Sequence, residues 1–150
     1  MSQGMRNLIA RLHAAVEDGC ARRADVGLLV LRLVTGGHLI FMTQDNVFSW
    51  ARMLEFRDFL AQFGFPWPLL CAVLSVAGQF GGGLLLVLGL FTRFAGLIVA
   101  FNFIIAIWMV DSRQPYPAAF AALSLVAAGL CLMFTGAGKW SLDRAWRKRG

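Results

Sequence analysis

Four side chains in this 150-residue chain stand where chemistry has a use for them and hydrocarbon does not. Arg32, His38, Gln79 and Asn102 each interrupt a long apolar run. An arginine can balance an anionic or reduced head group, and the two amides can donate hydrogen bonds to carbonyl oxygens. Polar groups at such depth concentrate at functional sites, although hydrogen bonds internal to a helix bundle produce the same list. Arg32 has two readings. It snorkels to the nearby helix end, or it points into the bundle as a ligand or proton-path residue; left unpartnered it costs ~2.5–3.5 kcal/mol. His38 reads as a satisfied interior histidine or as a haem or quinone ligand. A bis-histidine haem needs a second membrane histidine, and His13 lies outside the spans. No catalytic residue is assigned. No metal site is either: Cys20, Cys71 and Cys131 contain no CxxC pair, and two histidines do not complete a four-ligand set.

The elements that must position these groups are apolar blocks. The chain is 59% hydrophobic, against ~45–50% for soluble domains. Its mean hydropathy is +0.68. A bilayer span must satisfy its own backbone hydrogen bonds, so the blocks read as helices. The pattern predicts an all-α transmembrane four-helix bundle over residues 26–136, with spans near 26–42, 67–91, 94–110 and 116–135. Residues 67–91 form the organising span. Ser75, Gly78, Gln79, Gly82, Leu86 and Gly89 share one stripe of it, and Ser75, Gly78, Gly82 and Gly89 are expected to pack neighbouring helices closely. Leu74, Leu84, Leu85 and Val87 are left for lipid. In the fourth span the small stripe is Ala121, Ser124, Ala128, Cys131 and Thr135. For Asn102 an interhelical hydrogen bond is the default.

Two amphipathic segments flank the first span. Residues 1–25 place Met5, Leu8, Ile9, Leu12 and Val16 on one face, away from Arg6, Arg11, His13 and Glu17. They read as a surface helix, with a partly ordered tail as the alternative. Between spans one and two, Trp50, Leu54, Phe56, Phe59, Leu60 and Phe63 oppose Arg52, Glu55, Asp58 and Gln62. This is a second interfacial helix, or a lid over the outer mouth. The net charge of +6 is no nucleic-acid signal, because the basic residues cluster at the chain ends beside hydrophobic blocks. Ten of them fall on one side of a four-span topology and three on the other, which predicts cytoplasmic termini and a basic cytoplasmic tail at 137–150. Trp140 and Trp146, beside Arg147, Lys148 and Arg149, suit lipid headgroups or a protein partner. The expected partner throughout is the bilayer.

Four stretches together resemble the DoxX family of small four-helix membrane proteins: LVLRLVTG (29–36), FGFPWP (63–68), QFGGGLLLVLGLFTRFAGL (79–97) and TGAGKWSLD (135–143). The resemblance covers about residues 26–144. It implies a setting in a bacterial inner membrane, as a subunit of quinone-linked sulfur-compound oxidation or a partner of oxidative-stress enzymes. It admits quinone as a cofactor, where composition alone points to none, and it leaves open protein partners or further copies of the chain. Two readings follow: a non-catalytic membrane subunit or scaffold, and a quinone- or small-molecule-handling oxidoreductase subunit in which Arg32, His38, Gln79 and Asn102 line one pocket. The chain departs from the family pattern at Gln79, where many members carry a glutamate. An amide hydrogen-bonds but does not relay a proton.

Overall fold

The computed structural model describes residues 3–113 and 115–147. Six α-helices account for most of them: α1 Gln3–Phe48, α2 Trp50–Gln62, α3 Pro68–Leu88, α4 Thr92–Met109, α5 Tyr116–Thr135 and α6 Leu142–Arg147, with a 3-10 turn at Asp111–Arg113. The architecture is an all-helical membrane bundle. Arg23–Phe48 of α1, together with α3 and α4, is long and apolar enough to cross a bilayer, and α5 supplies a further apolar stretch, Ala119–Thr135. α3 packs on α1, α2 and α4, and α5 packs on α4 and reaches back to α1. The bundle therefore closes as α1–α3–α4–α5, with α2 laid against α1 and α3.

The amphipathic N-terminal segment is not a separate surface helix. It continues into the first span as one helix of 46 residues. Nothing between Ala21 and Val26 breaks it: ARRADV holds neither proline nor glycine, and its arginines and alanines are good helix formers. Met5, Leu8, Ile9 and Leu12 are exposed along it. The side chains of Arg11, His13, Val16, Glu17 and Arg147, and residues 148–150, lie outside those described. The first span also runs past Met42 to Phe48, where Ser49 alone, in extended conformation, turns the chain into α2.

Close helix crossings rest on two glycine pairs. A Cβ on Gly36 would stand 2.6 Å from the Gly83 carbonyl oxygen, and one on Gly96 would stand 2.6 Å from that of Gly129. Only a bare backbone allows α1 to meet α3, and α4 to meet α5, at that distance. Gly78 and Gly82 pack less tightly, against Ile98 and Val99 of α4. Leu84 and Leu74 face outward, whereas Leu85 packs on the core and Val87 meets α1 beside Gly36. In α5 the small stripe turns outward. Ala121, Ser124, Cys131 and Thr135 are exposed, and the packing face is Ala122, Val126, Gly129 and Leu132. Tight backbone contact at Gly129 fixes that rotation, and hydrocarbon tolerates the hydroxyls because Ser124 and Thr135 donate to carbonyls one turn back, at 2.8 and 2.6 Å.

Candidate functional site

The four polar candidates go to three different places. Arg32 is 1% exposed and sits at the basic end of the bundle. Its Nε donates to the Leu86 carbonyl at 3.0 Å, and its Nη1 to the carbonyls of Ala137 and of Trp140, the latter at 3.0 Å. It neither snorkels to water nor faces a cavity. The helix turn beneath it is built for this guanidinium. Gly89 closes α3 in left-handed conformation (φ 67°), with Leu90 N–H returning to the Leu85 carbonyl at 2.9 Å. A Cβ there would lie 2.7 Å from Arg32 Nη2, so position 89 needs glycine twice over.

The post-α5 loop closes over this arginine through two carboxylates. Asp143 accepts Phe91 N–H at 2.8 Å and Thr92 N–H at 3.1 Å, which caps α4 from across the molecule, and its own N–H donates to Gly89 at 3.0 Å. Asp25 accepts Lys139 N–H and pairs with its ammonium, both at 2.8 Å. The GLFTR and TGAGKWSLD stretches thus meet as one latch, held together by Arg32, Asp143 and Asp25.

Gln79 and Asn102 lie instead in the other half of the bundle, where α2, α3 and α4 enclose a cavity of about 460 Å³. Phe56, Phe59, Leu60 and Phe65 roof it, and Leu74, Ile98, Phe101, Phe103 and Ile105 wall it. Its polar groups are Ser75, Gln79, Asn102 and Asp111. Gln79 Nε2 donates to Ser75 Oγ at 3.0 Å, one turn apart on α3, which leaves the Gln79 carbonyl oxygen open. The Asn102 side chain, half-buried, makes no hydrogen bond among the described residues, so the interhelical bond expected of it is not formed there. Burial raises the Asp111 carboxyl above the usual carboxylate range. Ser75 serves this cavity rather than a helix crossing. The roof holds because Met53 and Leu60 of α2 are buried against Ala72 and Val76 of α3. Packed rings continue it, with Phe56 stacked on Phe59 and the tilted Phe59–Phe63 pair 4.9 Å between centroids.

His38 joins neither place. It is exposed on the outer surface of α1, well inside the apolar segment. Six positions separate it from Arg32, which is about 120° of rotation at ~3.6 residues per turn. A helix packed along one side therefore buries Arg32 and turns His38 out. Of the four candidates the structure brings together only Gln79 and Asn102. It adds Asp111, which falls in a turn and carries no span signal, and the α2 rings, whose spacing is visible in sequence.

This is an integral membrane helix bundle, latched around Arg32 at one end and hollow beneath α2 at the other. The family model for DoxX matches residues 27–112, and the chain belongs to the DoxX family. It is similar to the "Inner membrane protein YphA" of Escherichia coli (strain K12), at 33% identity over 138 residues, covering 84% of this chain and 93% of that protein. No solved structure matches the chain.

Proposed function

We propose that the chain is a non-catalytic membrane subunit of a redox- or oxidative-stress-linked assembly, and that its cavity holds a small apolar molecule with a hydrogen-bonding head, of the quinone type. The observation that carries this reading is the cavity under α2: aromatic and aliphatic walls around an unpartnered asparagine amide. Ligand pockets are typically apolar, with a few convergent polar groups. Asn102 would donate to a carbonyl oxygen, and the free Gln79 oxygen would accept from a hydroxyl. Both forms of a quinone pair would then find a partner. Cys71 and Ser75 line the cavity, but among the described residues Cys71 bonds a backbone carbonyl and Ser75 an amide rather than a base, which favours holding over chemistry. The name of the Escherichia coli relative supports an inner-membrane location. The gathering of Arg93, Lys139 and Arg144 at one end supports cytoplasmic termini.

The test is a titration of the purified protein with a short-chain benzoquinone, read by quenching of tryptophan fluorescence. Saturable quenching is expected, with affinity about tenfold weaker in Asn102→Leu, the loss of ~1.4 kcal/mol. Non-saturable quenching, or equal affinity in the variant, would remove the reading.

The scaffold function has its own support in His38. An imidazole facing hydrocarbon is unfavourable, and a protein contact on that face of α1, from another subunit or a second copy, would relieve it. A cross-linker on His38→Cys in native membranes should capture a discrete partner band.

A further inference from the structure

A second cavity, of about 400 Å³, opens at the basic end, where α3 turns into α4 and α6 folds alongside. Leu90, Phe91 and Phe94 give it apolar walls, Trp146 stands at its edge, and Asp143 and Arg93 bring the charges. The Asp143 carboxylate is already engaged, holding two backbone N–H groups, with Arg32 within electrostatic reach. Arg93 is not: it is exposed, lies beside Gly136, and has no hydrogen-bond or ion-pair partner among the described residues. A further polar group in the lining is incomplete. Thr92 is 0% exposed and its hydroxyl is without a hydrogen-bond partner. A buried hydroxyl left so is unusual; having no accessible surface, it stands behind the pocket wall.

We propose that this pocket binds the head of an anionic phospholipid, with its phosphate on Arg93 and its glycerol and upper acyl chains across Phe91 and Phe94. The pocket lies at the ends of two membrane-crossing helices, which is headgroup depth. Guanidinium matches phosphate in charge and geometry. The outward-facing Phe91 and Phe94, 58% and 59% exposed, give the acyl chains a surface that a free anion would not use. Trp146, 67% exposed, is an amphipathic ring suited to that boundary. A uniform basic surface would attract anionic lipid anywhere on this end. Among the described residues the lining holds one available cation, Arg93, which predicts a preference that a single residue controls.

The test uses the full chain in lipid nanodiscs of phosphatidylcholine, doped in turn with a minor fraction of brominated phosphatidylglycerol or brominated phosphatidylcholine. The Trp146 signal is taken as the difference between the wild-type chain and Trp146→Phe. Brominated phosphatidylglycerol should quench that signal several-fold more than brominated phosphatidylcholine. Arg93→Gln should abolish the excess, and Arg93→Lys, which keeps the charge, should retain most of it. Circular dichroism of each variant reports that the bundle is folded. Equal quenching by the two lipids overturns the proposal, and so does an excess that survives Arg93→Gln. Loss of the excess on adding inorganic phosphate at constant ionic strength also overturns it, because the site would then belong to a free anion.

Discussion

The two ends of this bundle solve opposite problems with polar groups. At the basic end the buried arginine and two carboxylates are consumed by the chain itself: Arg32 by three carbonyls, Asp143 by two N–H groups, Asp25 by Lys139. At the opposite end, among the described residues, the Asn102 amide has no partner and Gln79 keeps an oxygen free around a hollow. A saturated polar network rigidifies and specifies one arrangement, whereas an unsaturated one beside a void is available to something else. Arg32, which the sequence leaves between snorkelling and a ligand role, spends its donors on backbone carbonyls, and the neutral amides are the groups left open.

Variants rank this contrast. Arg32→Leu should have the largest effect, because it strands three carbonyls under the loop; a loss of about 3 kcal/mol or more is expected. Thermal unfolding followed by circular dichroism measures it, and Arg32→Lys should recover only part, since one ammonium does not reproduce the fork. Gly96→Leu, about one turn into α4 from the basic end, drives a side chain into the α5 backbone and should lower stability by about 1–3 kcal/mol. Asp143→Asn keeps one acceptor and loses the charge, for about 1 kcal/mol in the same assay. Asn102→Leu should stay within about 0.5 kcal/mol of the parent chain, because no contact is lost. If it unfolds as readily as Arg32→Leu, the two ends do not differ as described. The smallest effect belongs to Asp111. Its carboxyl is raised by burial, so the fold favours the protonated form. That contribution is present at low pH and declines as pH rises through the folded value. Asp111→Asn should raise the midpoint relative to the parent chain at about pH 8 and leave it unchanged at about pH 4.

Apolar run length made most of the fold legible. The spans read at 67–91, 94–110 and 116–135 are α3, α4 and α5 to within about three residues, because glycine, proline and charge bound each one. The helix before α3 was visible in its alternating rings and charges. The first helix was not, since amphipathic and apolar segments join without a break, and a change of hydropathy is not a change of backbone. Of the candidate site, Gln79 and Asn102 were visible as polar exceptions in apolar runs. The environment of Arg32 was not, because its partners are backbone carbonyls, which have no residue-type signature. The rotation of α5 was hidden for a related reason: the crossing is set by Gly96 against Gly129, and small residues elsewhere on the helix mimic that stripe.

Arg32 and the loop that receives it are separated by 105 to 108 positions along the chain. During synthesis the first span enters the bilayer carrying a cation whose acceptors have not yet been made. Leu86 arrives with α3, but Ala137 and Trp140 leave the ribosome only after the fourth apolar helix has been translated. Arrival of residues 137–140 and hydrogen-bonded burial of that guanidinium are consequently one event. A nascent protein truncated before residue 137 would hold an inserted but unfastened bundle, recognisable to membrane quality control by a single arginine with nowhere to go.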